Sequence, residues 1–194
     1  MIRTEHIKKQ IRSDCHMWHF STIDSTNLYL RNLTMPGLHL CIAEYQTSGR
    51  GRYGARWYSD TGKGLLMSLK IPNSRPADTN HTVSQTIPQI VLSGISERLP
   101  EVASKLTVKL PNDIVTKDLP NYKKLAGILI ETEVVPTLND EFNWIIGIGC
   151  NIYSAPDSVE GISLAELQDQ ALPENIGEDI CITWTNEIFR FFGY

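Results

Sequence analysis

Apolar and polar positions alternate most clearly in GLLMSLKI (64–71), where Leu65, Met67, Leu69 and Ile71 recur at every second residue and so share one face of a strand. FNWIIGIGCNI (142–152) is apolar on both faces, which predicts a strand at the centre of a sheet. LHLCIAEY (38–45), KLTVKL (105–110) and KLAGILIETEV (124–134) read as further strands, and MWHFST (17–22) as a shorter first one. Between them the period changes. Val83, Ile87, Ile90, Val91, Gly94 and Ile95 follow helical spacing, with Pro88 expected near the helix start or at a kink. A second helix is expected at DSTN (24–27), where Asp24, Ser25 or Thr26 can cap it and Leu28, Leu30 and Leu33 supply apolar contacts. The tail CITWTNEIFRFFGY (181–194) reads as a closing helix. This order predicts an α+β (mixed α/β) fold: a sheet covered on one side by helices. The sequence contains no repeat, low-complexity linker or composition break, so a single domain over 1–194 is expected.

Composition narrows the function classes. With 41% hydrophobic and 21% charged residues the chain has the balance of an ordinary folded domain rather than a disordered one. Eighteen Lys+Arg against 22 Asp+Glu give a net charge of -4, so bulk electrostatics do not attract a polyanion. The longest uncharged stretch, Thr79 to Ser96, is broken by Asn, His, Ser, Gln, Thr and Pro, which argues against a membrane span. The N-terminal segment lacks the apolar core of a secretory signal, and Glu5 and Asp14 argue against a transit peptide, so the cytoplasm is the expected location. Cys15, Cys41, Cys150 and Cys181 are far apart without finger spacing and are read as free thiols. His16 and His19 point to opposite faces of a strand with no third ligand nearby, so no metal site is expected there.

Four segments carry candidate chemistry. Ala43 to Gly64 links two strands and holds Gly49, Gly51, Gly54, Gly62 and Gly64 together with Arg50, Arg52 and Arg56. Glycines permit close backbone approach, and arginines offer planar forks for carboxylate or phosphate oxygens. A long loop of this kind in a compact domain is usually functional, although a solvated hairpin tip or an RGG-like contact with nucleic acid has the same composition. It lacks the GK[ST] ending of a Walker A loop. VKLPNDIV (108–115) places Lys109 and Asp113, read as a charge pair, either side of a turn. Lys124 opens the apolar strand KLAGIL either as an edge charge or as a cation aimed at an anionic substrate; Gly127 inside that strand favours the substrate. In WIIGIGCN (144–151) alternation puts Gly147, Gly149 and Asn151 on one face, describing either a groove floor or a helix-packing surface.

In this order, DSTN, GRGRYGARW (49–57), KLPND (109–113), KLAGIL (124–129) and GIGCN (147–151) resemble the biotin protein ligases over roughly residues 18–170. The resemblance implies a mixed, largely antiparallel sheet with helices on one side, a fold shared with lipoate ligases. It implies an ATP-dependent ligase that forms biotinyl-5'-AMP and transfers biotin to a lysine of a biotin carboxyl carrier protein, with ATP and biotin as substrates and Mg²⁺ as the metal.

By matched position, Ser25, Thr26, Asn27 and Gln46 correspond to groups that bind biotin's ureido ring. Arg50, Gly51 and Arg52 correspond to the loop over biotinyl-adenylate. Lys124 corresponds to the lysine bridging the biotin carboxylate and the α-phosphate, and Gly127 to a close backbone contact. Lys124 and Arg52 are the implied catalytic residues. Trp57 corresponds to the residue packed on adenine, and Lys109, Asn112, Asp113 and Asn151 fall where the family handles phosphates and metal.

Two departures accompany the match. Leu110 stands where the family usually has Trp, and the chain ends soon after Asn151, so the small C-terminal β-barrel is expected to be absent or truncated. No room is expected before Trp18 for a DNA-binding winged helix, so no DNA or membrane partner is expected; a homodimer is compatible with the resemblance. Two rival readings stand beside it: a lipoate or octanoate ligase or transferase on the same fold, and a non-catalytic nucleic-acid or regulatory module using the basic loop. Gln46, GRGR and KLAGIL favour biotin over the first, and the net charge of -4 counts against the second.

Overall fold

A computed structural model describes residues 2–73, 79–118, 120–135, 142–157 and 160–194. A short helix α1 (Thr4–Lys8), which the hydrophobic pattern does not announce, precedes β1 (Cys15–Phe20). Helix α2 (Thr26–Asn32) follows, then β2 (Leu38–Ala43) and β3 (Gly64–Asn73), joined by the Gly/Arg segment. Helices α3 (Thr79–Arg98) and α4 (Pro100–Ser104) lead into a hairpin of β4 (Leu106–Lys109) and β5 (Asp113–Thr116). The chain closes with β6 (Lys124–Val134), β7 (Phe142–Asn151), α5 (Leu164–Leu167) and α6 (Ile176–Phe191).

The strands form one seven-stranded sheet in the order β1-β2-β3-β7-β6-β5-β4. Among the described strands only β1 and β2 pair in parallel; the other pairs are antiparallel. The continuous apolar run of β7 lies in mid-sheet between β3 and β6, as expected. Trp144, Ile146, Ile148 and Cys150 of β7 join Leu65, Met67, Leu69 and Ile71 of β3 in the main core, closed by α3 and α6. The packing of α3 on α6 is tightest at Gly94, where a Cβ would lie 2.6 Å from the Trp184 indole; that indole donates to the Val91 carbonyl at 2.9 Å. Pro88 lies inside α3 rather than at its start, leaving the Ser84 carbonyl without its helical N–H partner.

Helix α2 departs from this one-sided arrangement. It crosses the opposite face, where Leu30 meets Cys41 and Ile145 in a small second cluster with Trp18 and Tyr29 around it. Ser25 is its N-cap, accepting from Leu28 N–H at 3.4 Å. The face of β7 that carries Gly147 and Gly149 is therefore roofed by α2 and the Gly/Arg segment. All four cysteines are free thiols, and burial pushes the Cys41 and Cys181 thiols up to about 12, far from a reactive thiolate.

Candidate active site

The site face is built from glycines. Gly127 of β6 pairs with Gly149 of β7, and Gly147 lies between Ser68 of β3 and Leu129 of β6. Missing side chains leave a cleft of about 260 Å³ bounded by α2, the Gly/Arg segment, the β4–β5 turn and these strands. Each glycine has a neighbour that explains it. A Cβ on Gly147 would lie 2.1 Å from Asn27 Oδ1; on Gly149, 2.5 Å from Cε2 of the Trp57 indole; on Gly127, 2.9 Å from its Cζ3. Both readings of GIGCN hold in part: Gly147 and Gly149 line the cleft, but α2 packs on Gly147 through Asn27, Trp57 seats on Gly149, and Asn151 lies off the cleft wall.

At one end the side chains form a hydrogen-bonded string. Gln46 Oε1 accepts from Thr26 N–H at 2.7 Å and from its hydroxyl at 3.1 Å. Thr26 Oγ1 is 2.7 Å from Ser68 Oγ, which donates to Asn27 Oδ1 at 2.6 Å. The Asn27 amide in turn donates to Glu131 Oε2 at 2.9 Å. This string locks α2 onto the sheet and leaves Gln46 as an amide bordering the cleft.

At the other end lie the charges. Lys124 Nζ contacts Asp113 Oδ1 at 2.7 Å and sits 5.4 Å from the centre of the Trp57 ring. The expected Lys109–Asp113 pair is thus replaced. Lys124 arches back over side-chain-free Gly127, its Nζ within 3.0 Å of where a Cβ would stand, and reaches Asp113 from the half-buried side. Exposed Lys109 turns to Tyr122 instead, hydrogen-bonding its hydroxyl with the ammonium 4.1 Å from the ring centre. That hydrogen bond raises the Lys109 pKa above the ordinary lysine value.

The Gly/Arg segment is an ordered hairpin rather than an open loop. Arg50 and Arg56 bridge antiparallel, Trp57 N–H donates to the Gly49 carbonyl at 3.0 Å, and Gly51 N–H to the Ala55 carbonyl at 2.7 Å. Its tip is a single 3-10 turn (Arg52–Gly54) in which Tyr53 and Gly54 both take positive φ, 55° and 80°. Arg52 ties this tip to the β4–β5 turn through Asn112 Oδ1 at 3.4 Å. Asn112 is itself pinned to β6, its amide donating to the Ile128 carbonyl at 3.0 Å.

The site residues implied by matched position thus converge on one cleft, apart from Thr26, Lys109 and Asn151, which are not on its wall; of the loop glycines Gly51 lines it, and Gly49, Gly54, Gly62 and Gly64 do not. Asn151 is buried at the end of β7. Its amide donates to the carbonyls of Ile162 (3.1 Å) and Lys124 (3.4 Å), holding residues 160–162 against the start of β6. It steadies Lys124 from behind. Leu110 lies 60% exposed at the hairpin turn, with a cis peptide to Pro111. Ser68 and Glu131 were not anticipated. Their signal was the polar alternate face of two otherwise apolar strands, which carries Ser68 and Lys70 in one and Glu131 and Glu133 in the other.

The family model described as the biotin/lipoate A/B protein ligase family matches residues 19–151. The chain belongs to that family. Relatives include the bifunctional ligase/repressor BirA of Escherichia coli K12, 37% identical over 67% of this chain and 38% of that protein. The BirA of Bacillus subtilis 168 is 32% identical over 90% of this chain and 51% of its own length. The chain therefore spans about half or less of these curated relatives.

Among solved structures, a biotin protein ligase of Aquifex aeolicus in complex with biotin and ATP superposes with a TM-score of 0.65 at 23% identity, covering 91% of this chain and 72% of that one. The Leishmania major biotin protein ligase with biotinyl-5-AMP gives 0.64 at 23% identity, covering 94% and 81%. These last likenesses establish the shared family fold. No described helix is long and apolar enough to cross a membrane.

Proposed function

We propose that this chain activates biotin with ATP to biotinyl-5'-AMP, releasing pyrophosphate, and passes the biotinyl group to a lysine of a biotin carboxyl carrier protein. The observation that carries this reading is one cleft with neutral hydrogen-bonding groups at Ser25, Asn27 and Gln46 and cations at Arg52 and Lys124, with Arg50 held beside Asn27 by Glu131. Biotin has the same polarity: an uncharged ureido ring, an apolar chain and a carboxylate. The reading is supported by the ligase named in both BirA relatives and by the biotin protein ligases among the solved structures.

In the first half-reaction a biotin carboxylate oxygen attacks the α-phosphorus of ATP and the pyrophosphate leaves. Two anions must meet, so cations between them lower the barrier. Lys124 is positioned for this where β6 begins, and it exchanges its contact with Asp113 for the substrate oxygens. Trp57, seated on the paired glycines, offers its outer face to the adenine. Asn112 and Asp113 border the triphosphate. Among the described residues no cluster of three His, Cys, Asp or Glu could hold a metal alone. This suits Mg²⁺ arriving with the phosphates, with Asp113 as an available protein oxygen; bound there, it would neutralise phosphate charge.

In the second half-reaction the carrier lysine amine attacks the acyl carbon, AMP leaves, and the amine gives up its proton. The Arg50–Arg56 hairpin covers the adenylate between these steps and keeps water from the anhydride. A cytoplasmic location follows from this use of ATP and of a metabolic carrier. Isothermal titration of the chain with biotin and with lipoate tests the reading: biotin binds, and lipoate does not compete. Preferential binding of lipoate would replace it with the sister activity.

A further inference from the structure

Glu131 of β6 stands under the cleft with its side chain only 17% exposed. One oxygen, Oε2, accepts from the Asn27 amide at 2.9 Å. The other, Oε1, faces two guanidiniums, Arg31 of α2 at 3.6 Å and Arg50 of the Gly/Arg hairpin at 3.7 Å. Glu131 thus touches both the helix carrying Thr26 and Asn27 and the hairpin.

A side-chain amide can face a neighbour with either its NH₂ or its carbonyl, and a carboxylate accepts but does not donate. Glu131 Oε2 and the Leu129 carbonyl, 3.4 Å away, are both acceptors and demand the NH₂ of Asn27. Asn27 Oδ1 is thereby turned the other way, over Gly147, where Ser68 donates to it; Asn27 and Gly147 both line the cleft, and the oxygen has a second lone pair to offer a ligand. An acceptor in this place suits a ligand N–H and repels a ligand carbonyl.

We propose that Glu131 is a positioning residue that sets the polarity of ring recognition: it fixes the Asn27 carbonyl toward the cleft as an acceptor for a ureido N–H. Through Oε1 it also gives Arg50 a counter-charge while no anionic ligand is bound, and Arg50 leaves it when the adenylate forms. This rests on the biotin-ligase reading and adds to it the residue that selects an N–H-bearing ring.

The test is calorimetric titration of biotin and, separately, of ATP into three proteins: wild type, Glu131→Gln, and Asn27→Asp combined with Glu131→Gln. Glutamine keeps the shape of Glu131 but can donate, so the orientation of the Asn27 amide is left to its longer contact with the Leu129 carbonyl at 3.4 Å. The single variant should bind biotin at least about ten-fold more weakly, with ATP affinity in the absence of biotin not reduced, because Arg50 loses its counter-charge there. In the double variant the amide introduced on β6 donates to the carboxylate introduced on α2. The group facing the cleft is then again an acceptor, and biotin affinity should return to within about three-fold of wild type. Thermal melts of all three establish that they fold. Wild-type biotin affinity in Glu131→Gln, or a folded double variant no better than the single one, would overturn the assignment. Failure of wild type itself to bind biotin would instead overturn the proposed function.

Discussion

Lys124 has two partners of opposite consequence, Asp113 at 2.7 Å and the Trp57 ring centre at 5.4 Å. In the cleft as it stands the carboxylate neutralises it; under the proposed function the same ammonium would be shared by two substrate anions. Truncation to Lys124→Ala should lower single-turnover formation of biotinyl-AMP by about 100-fold or more, equivalent to roughly 3 kcal/mol of transition-state stabilisation. Chromatography of quenched reactions measures this, and a rate within a few-fold of wild type would reduce Lys124 to an edge charge. Gly147 offers a complementary test, because a methyl group there would overlap Asn27 Oδ1 at 2.1 Å. Gly147→Ala should cost about 1–3 kcal/mol of stability, as overpacking does, and should weaken biotin binding far more than ATP binding. Equal losses for both ligands would mean the effect is global.

Among the elements, the Gly/Arg hairpin was only partly legible in the sequence. Its composition announced a loop near an anion, but the Arg50–Arg56 bridge and the positive φ of Tyr53 depend on backbone pairing that no residue type signals. The same limit applies at Lys109 and Asp113: the turn does set them opposite each other across the β4–β5 hairpin, but Asp113 takes its ion pair from Lys124 of β6 while Lys109 turns to Tyr122. Six of the strands were legible from their apolar pattern, whereas β5, only four residues long after the turn at Pro111, was not. The placement of α2 on the far face was not, since its short apolar stripe fits either side. Because the hairpin is internally bonded, it should open as a unit about Gly49 and Trp57, and Arg52 should act as its catch on Asn112. Arg52→Gly should therefore shorten retention of biotinyl-AMP more than it slows synthesis, and biotin should appear on lysines of bystander proteins. Wild-type retention, with label confined to the carrier, would contradict this.

At the scale of the molecule, one sheet separates two environments: an apolar core beneath α3 and α6, and a face on which polar side chains replace apolar ones beneath α2. His39 of β2 belongs to the second face and is fully buried. Its Nδ1 accepts from the Trp18 indole at 3.3 Å, and its Nε2 lies 3.0 Å from the Met35 carbonyl. Burial lowers its pKa below the ordinary histidine value. A depressed histidine pKa means the unfolded chain binds the proton more readily. Stability should be unaffected above about pH 6.5 and should fall as pH drops below it. Chemical denaturation at pH 7.5 and pH 5 should reveal a loss in wild type that is smaller in His39→Gln; identical slopes in the two would exclude His39 as the source.

The proposed function makes one demand of the cleft as a whole, that the two ends of biotin be held while its carboxylate is joined to AMP. The most direct measurement is exchange of labelled pyrophosphate into ATP by the purified chain. The account predicts exchange that requires biotin and is not supported by lipoate. Absence of biotin-stimulated exchange from the folded protein, or exchange supported equally by lipoate, would contradict it.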